Sequence, residues 1–144
     1  MTRLLIDTSV LIKWFHKSGE SELGEARAIP DVHIRGDLDA HVLDLALYEV
    51  GNVLARALKW CAAYVGDQLD DLLSIVGPPI TMAQSWLRDA AVLSQTHTLS
   101  FYDATWAAAA AALGIPLISA DRQLIATGLA ETPSAVAARL KLAP

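Results

Sequence analysis

Leu4-Leu5-Ile6 is a short apolar run that ends at Asp7-Thr8-Ser9, the pattern of a buried strand meeting a turn or helix cap. Val10 to Phe15 then reads as a short helix. Residues 18–39 are mixed and charged, with Gly19, Gly24, Pro30 and Gly36, and the expectation there is a helix broken near Pro30. His41-Val42-Leu43 suits a second strand, leading into a helix over 45–59 with Leu47, Val50, Leu54, Ala57 and Leu58 on one face. A helix over 67–76 is stopped by Gly77-Pro78-Pro79, and Ile80 is a minimal strand. Thr81 and Gln84 have capping-box spacing for a helix reaching about residue 94. Ser100 and Asp103 repeat that spacing for a helix ending at Leu113, where Gly114 supplies the left-handed stop. Ile115 to Ile118 follows as a strand, then Ser119-Ala120-Asp121-Arg122, and a last helix opens at Thr132-Pro133.

Strands alternating with helices imply an α/β sandwich around a mainly parallel sheet. Ligands of such sheets gather beyond the carboxyl ends of the strands, where Asp7 and Asp121 both fall. No repeat, low-complexity tract or linker-like composition interrupts the 144 residues, so a single domain spanning 1–144 is expected. Apolar residues make up 53%, a surplus that fills a large interior or leaves an apolar face for a partner. Trp14, Phe15, Trp60 and Tyr64 could serve either purpose. The lone Cys61 excludes an intramolecular disulfide, and no apolar stretch reaches the roughly 18–20 residues needed to cross a bilayer. The early charges at Arg3 and Asp7 do not suit a signal peptide, so a cytoplasmic protein is expected. A net charge of −5 argues against holding nucleic acid by bulk electrostatics, without excluding an enzyme that acts on it.

Four acids sit where chemistry is expected: Asp7 after the first strand, Glu49 and Asp103 early in helices, and Asp121 past the late strand. Each also has an ordinary reading, as helix cap, dipole partner or turn former. Brought together, like charges raise one another's pKa or demand cations. Mg²⁺ or Mn²⁺ would meet that demand and suit phosphodiester hydrolysis without a side-chain nucleophile. His16, His33, His41 and His97 are scattered without zinc-like spacing, and read as surface or partly buried histidines.

The stretch Leu4 to Phe15 resembles the opening motif of PIN-domain proteins, especially VapC-like toxins. Tyr48-Glu49-Val50-Gly51-Asn52-Val53-Leu54 is similar to their second motif, Phe101-Tyr102-Asp103-Ala104 to their third, and Pro116 to Arg122 to their fourth. The likeness covers almost the whole chain in matching order. It implies a three-layer PIN fold and a Mg²⁺- or Mn²⁺-dependent endoribonuclease, with Asp7, Glu49, Asp103 and Asp121 as catalytic and metal-holding residues. It also implies 5′-phosphate and 3′-hydroxyl products, a cognate VapB-like antitoxin, and a homodimer or larger toxin–antitoxin assembly. Ser119 matches a hydroxyl position supporting the acidic centre. Thr8 or Ser9 assist it or cap a helix; Asn52, one turn after Glu49, supports it or is an ordinary polar residue; Arg122 reaches substrate phosphate or a surface ion pair. Rival readings are an inactive PIN-fold scaffold and an acidic-site phosphatase. The phosphatase reading lacks an Asp-x-Asp pattern at Asp7 and any lysine between Lys59 and Lys141.

Overall fold

The structure, a computed structural model, describes residues 2–14 and 23–141. Phe15, His16 and the start of the charged stretch at 18–22 lie outside the described residues. Strand β1 (Thr2–Ile6) is fully buried at Leu4, Leu5 and Ile6. A strand apolar on both faces belongs in the middle of a parallel sheet. There it lies, in the order β2-β1-β3, with β2 at Leu38–His41 and β3 at Leu117–Ile118, all parallel and flanked by helices. Leu5 pairs with both His41 and Leu117, and Ile6 pairs with Ile118. This register brings Asp7 and Ser119 out of the sheet side by side, with the Asp7 amide donating to the Ile118 carbonyl at 2.9 Å. Ile80 forms the expected minimal bridge, parallel to Leu43.

Two strands differ from expectation. The second runs over Leu38–His41 rather than 41–43, because its burial alternates at Leu38 and Ala40 amid charged neighbours. The late strand is only Leu117–Ile118. Pro116 has no N–H for a ladder, although its carbonyl accepts from the Leu5 amide at 2.9 Å.

Helix α1 (Thr8–Leu11) tightens into a 3₁₀ turn at Ile12–Trp14. Helix α2 (Leu23–Ile34) runs through Pro30 instead of breaking there. Proline cannot bond the carbonyl four residues back, and that group, on buried Ala26, instead accepts from the Trp14 indole at 2.9 Å. Helix α3 (Leu45–Asn52) widens into a π-turn at Val53–Ala57, with the Leu58 amide bonded to the Val53 carbonyl. The wide turn shifts the helical phase, so Ala57 is exposed although Val50 and Leu54 are buried.

Helix α4 (Ala62–Val76) starts five residues earlier than the pattern suggests and ends at Gly77. Helix α5 (Gln84–His97) is preceded by Ala83 with no side-chain cap, so Thr81 does not make the expected capping box. Thr81 lies two residues ahead of that cap position, too early to reach the first free amides. Helix α6 (Phe101–Leu113) begins as expected, Ser100 Oγ accepting from the Asp103 amide at 3.1 Å, and ends at Gly114 with φ +67°. Helices α7 (Arg122–Ala126) and α8 (Pro133–Leu140) follow, capped by Asp121 and Thr132. Trp14 and Trp60 pack partly buried against the core, whereas Tyr64 is exposed. Among the described residues, no helix is long and apolar enough to cross a membrane.

Candidate active site

Asp7 follows β1, Ser119 follows β3, and both are buried where the two strands end. Ser119 Oγ donates to Asp7 Oδ2 at 2.7 Å, and Ser9 Oγ donates to the same oxygen at 3.0 Å. Ser119 Oγ also accepts from the Asp121 amide at 3.0 Å, and Ser9 Oγ from the Ala120 amide at 2.9 Å. The two serines thus tie Asp7 to the turn carrying Asp121, whose own Oδ1 caps α7 by accepting from the Leu124 amide. Asp121 therefore does what its ordinary reading allows and still lies beside the other acids.

Glu49 reaches the same place from α3. Its Oε1 accepts from Thr8 Oγ1 at 3.0 Å and from the Trp106 indole at 3.2 Å. Trp106 is fully buried, one turn beyond Asp103 on α6, so one helix places an acid and the indole that fixes another acid. Trp106 belongs to none of the sequence motifs that carry the acids. Its available signal was the three-residue spacing from Asp103, which puts both on one helix face.

The electrostatics link the four acids. Burial pushes Asp7 up from the ordinary carboxylate range, with Glu49 adding to the rise, while the serine hydroxyls oppose it. Glu49 is raised by burial and by Asp103, against the Trp106 and Thr8 donors. Asp103 is raised by burial, then by Asp121 and Asp7. The hydroxyls of Thr8, Ser9 and Ser119 and the Trp106 indole, which donate to Asp7 and Glu49, are all neutral groups. Asn52 is exposed and lines a cleft with Glu49, and Arg122 is exposed at the start of α7. His33 is structural, accepting from the Ala40 amide at Nδ1 and donating to the Ile75 carbonyl from Nε2.

As placed, no three His, Cys, Asp or Glu side chains among the described residues gather around one point as a ready ligand set. The available donors are carboxylate oxygens, which hard divalent cations take. Mg²⁺ in particular is commonly held by one or two carboxylates while keeping several waters. An acidic centre of this composition could hold such an ion and stabilise charge on a phosphoryl group.

A parallel α/β sheet flanked by helices, with acidic residues beyond its carboxyl edge, belongs to the α/β class whose ligands bind at that edge. The chain belongs to the PIN-domain family, whose profile matches residues 4–129. It is 30% identical over 126 residues to Ribonuclease VapC3 of Pyrobaculum aerophilum, covering 85% of this chain and 92% of that one. Its fold is similar to the crystal structure of PAE2754 from Pyrobaculum aerophilum, with TM-score 0.69, 24% identity and 97% of each chain covered. A toxin–antitoxin complex from Klebsiella pneumoniae has a similar fold at TM-score 0.66 and 22% identity, covering 90% of this chain and 97% of that one.

Proposed function

We propose that this chain is a divalent-metal-dependent endoribonuclease, a single PIN domain acting as the toxin of a VapBC-type pair. The observation that supports the reading is the mutual electrostatic influence of Asp7, Glu49, Asp103 and Asp121, carried on separate elements: Glu49 raises Asp7, Asp103 raises Glu49, and Asp121 and Asp7 raise Asp103, each on top of burial. The relative named Ribonuclease VapC3 supports RNA as substrate, and the similar fold of a toxin–antitoxin complex is in keeping with a VapB-like antitoxin. A cytoplasmic location goes with such a substrate.

Mg²⁺ or Mn²⁺ held by the four acids would orient the scissile phosphate, favour hydroxide formation from water and offset charge on the leaving oxygen. Ser9 and Ser119 hold Asp7 by one oxygen, and Thr8 and Trp106 hold Glu49, so both carboxylates are oriented before substrate arrives. Asn52 offers an amide beside Glu49, and Arg122 a charge-assisted contact to substrate phosphate. Attack by water in place of the ribose 2′-hydroxyl, with the ribose 3′-oxygen as leaving group, leaves a 5′-phosphate and a 3′-hydroxyl and no cyclic phosphate. A homodimer, or a larger assembly with the antitoxin, completes the proposal.

The test is to express the wild type and Asp7→Asn under tight control, with and without the neighbouring reading frame, and to map cellular RNA 5′ ends. The wild type should stop growth and create new 5′-phosphate ends, Asp7→Asn should do neither, and the neighbour should restore growth. Equal inhibition by both proteins, without new ends, would remove the reading.

A further inference from the structure

Each of two helices carries a tyrosine immediately before one of the acids: Tyr48 before Glu49 on α3, and Tyr102 before Asp103 on α6. Successive helical side chains point about 100° apart. As Glu49 turns inward to Thr8 and Trp106, the ring of Tyr48 is left 74% exposed, and that of Tyr102 is 61% exposed. Both rings line one open cleft of about 360 Å³, together with Leu45, Glu49 and Asn52. Large aromatic surfaces left in water beside a reactive centre call for an occupant.

We infer that Tyr48 and Tyr102 form a stacking subsite for the bases of single-stranded RNA that flank the phosphate at the four-acid centre. The inference rests on the nuclease reading above. A net charge of −5 argues against holding RNA by bulk electrostatics. Contacts that do not depend on positive charge therefore gain weight beside Arg122 and a bound cation, and base–aromatic stacking is such a contact. Asn52 shares the cleft, and its amide offers a donor and an acceptor to base edges. An apolar protein face laid over the same cleft would instead bury the Glu49 carboxylate without a partner on that side. Because every base has a π-face, the subsite favours unpaired RNA and discriminates weakly among bases.

The test uses short labelled oligouridylate and an abasic oligoribonucleotide of the same length and charge. Both are titrated by anisotropy in Mg²⁺ against Asp7→Asn, which keeps the probes intact. Oligouridylate should bind more tightly than the abasic strand. Adding Tyr48→Ala or Tyr102→Ala should weaken oligouridylate binding roughly tenfold each. Tyr48→Phe and Tyr102→Phe should retain the preference, since stacking needs the ring and not the hydroxyl. In the otherwise wild-type chain, the alanine variants should raise KM for cleavage more than they lower kcat. Equal binding of the two strands by the parent, or unchanged oligouridylate binding by the alanine variants while the wild type still cleaves RNA, would overturn the subsite and leave the nuclease reading standing. A change of oligomeric state in the alanine variants with RNA binding unaltered would assign the rings to a protein interface and overturn it as well. A wild-type chain that neither binds nor cleaves RNA would remove both readings.

Discussion

Ser119 serves two acids at once, donating to Asp7 Oδ2 at 2.7 Å and accepting from the Asp121 amide at 3.0 Å in a fully buried position. Ser119→Ala leaves a buried carboxylate oxygen short of a donor, which costs about 1–3 kcal/mol. Urea denaturation should show that loss, with activity falling further than stability because Asp7 and the Asp121 turn are no longer tied together. Substitution of an acid itself should remove activity by orders of magnitude, since a charged centre that works as a unit is not restored by more substrate. Asp7→Asn, Glu49→Gln, Asp103→Asn and Asp121→Asn should each show this in initial rates, and full activity in any two folded variants would defeat the assignment. Asp7, Asp103 and Asp121 stand out in the sequence because they sit at or beside element ends, and Glu49, in the second turn of α3, because its motif resembles that of the family. Their supports do not. Thr8 meets Glu49 across 41 residues and Trp106 meets it across 57, contacts that only the packing of α1, α3 and α6 creates.

The same acids set a pH dependence. Burial first, and then neighbouring carboxylates, raise the pKa of Asp7, Glu49 and Asp103 in the folded chain. A carboxyl with a raised folded pKa holds its proton more tightly when folded, so its contribution to stability is fully present below the unfolded pKa. That contribution is lost as pH rises through the folded value. Without cations, the stability of the wild type should therefore decline, relative to Asp7→Asn, from the acidic side toward neutral pH. Urea midpoints measured in a chelator across that range check it. Parallel profiles for the two proteins would show that Asp7 is not held in a costly charged state.

At the scale of elements, local pattern foretold what local chemistry decides. The Ser100 cap, the Gly114 stop and the buried Leu4-Leu5-Ile6 strand all appear where the sequence places them. Other boundaries depart from the pattern, some through distant partners and some through local chemistry. Strand β2 borrows its register from β1, and the late strand is shortened by Pro116. Helix α2 passes Pro30 because a tryptophan from outside the helix supplies the missing donor to Ala26. A double-mutant cycle tests that compensation. Trp14→Phe should cost about 1–3 kcal/mol in the wild type, from the stranded carbonyl and lost packing. In a Pro30→Ala background the amide regained at position 30 can bond that carbonyl along the helix, so the same Trp14 substitution should cost less, by roughly 1 kcal/mol. Additive costs in thermal or urea denaturation would mean the indole does not complete the helix.

For the whole molecule, the acidic centre and the stability of the fold oppose each other until positive charge arrives. A cation that binds the folded chain alone stabilises it by mass action, about 2.7 kcal/mol at a hundredfold excess over Kd. Titrating Mg²⁺ or Mn²⁺ at neutral pH should raise Tm by several degrees, and Asp7→Asn should blunt the rise; no shift with either ion at millimolar levels would count against a metal centre. The net charge of −5 acquires a meaning at this scale that composition alone did not give it, since four of the sixteen acidic residues belong to the site proposed to cut RNA. The most direct measurement is cleavage of a defined single-stranded RNA by the purified chain in Mg²⁺, with the ends of the products determined chemically. The wild type should yield 5′-phosphate and 3′-hydroxyl ends, with no cutting by Asp7→Asn or in excess chelator. Cyclic phosphate ends, or equal cutting by Asp7→Asn, would contradict hydrolysis at the four-acid centre.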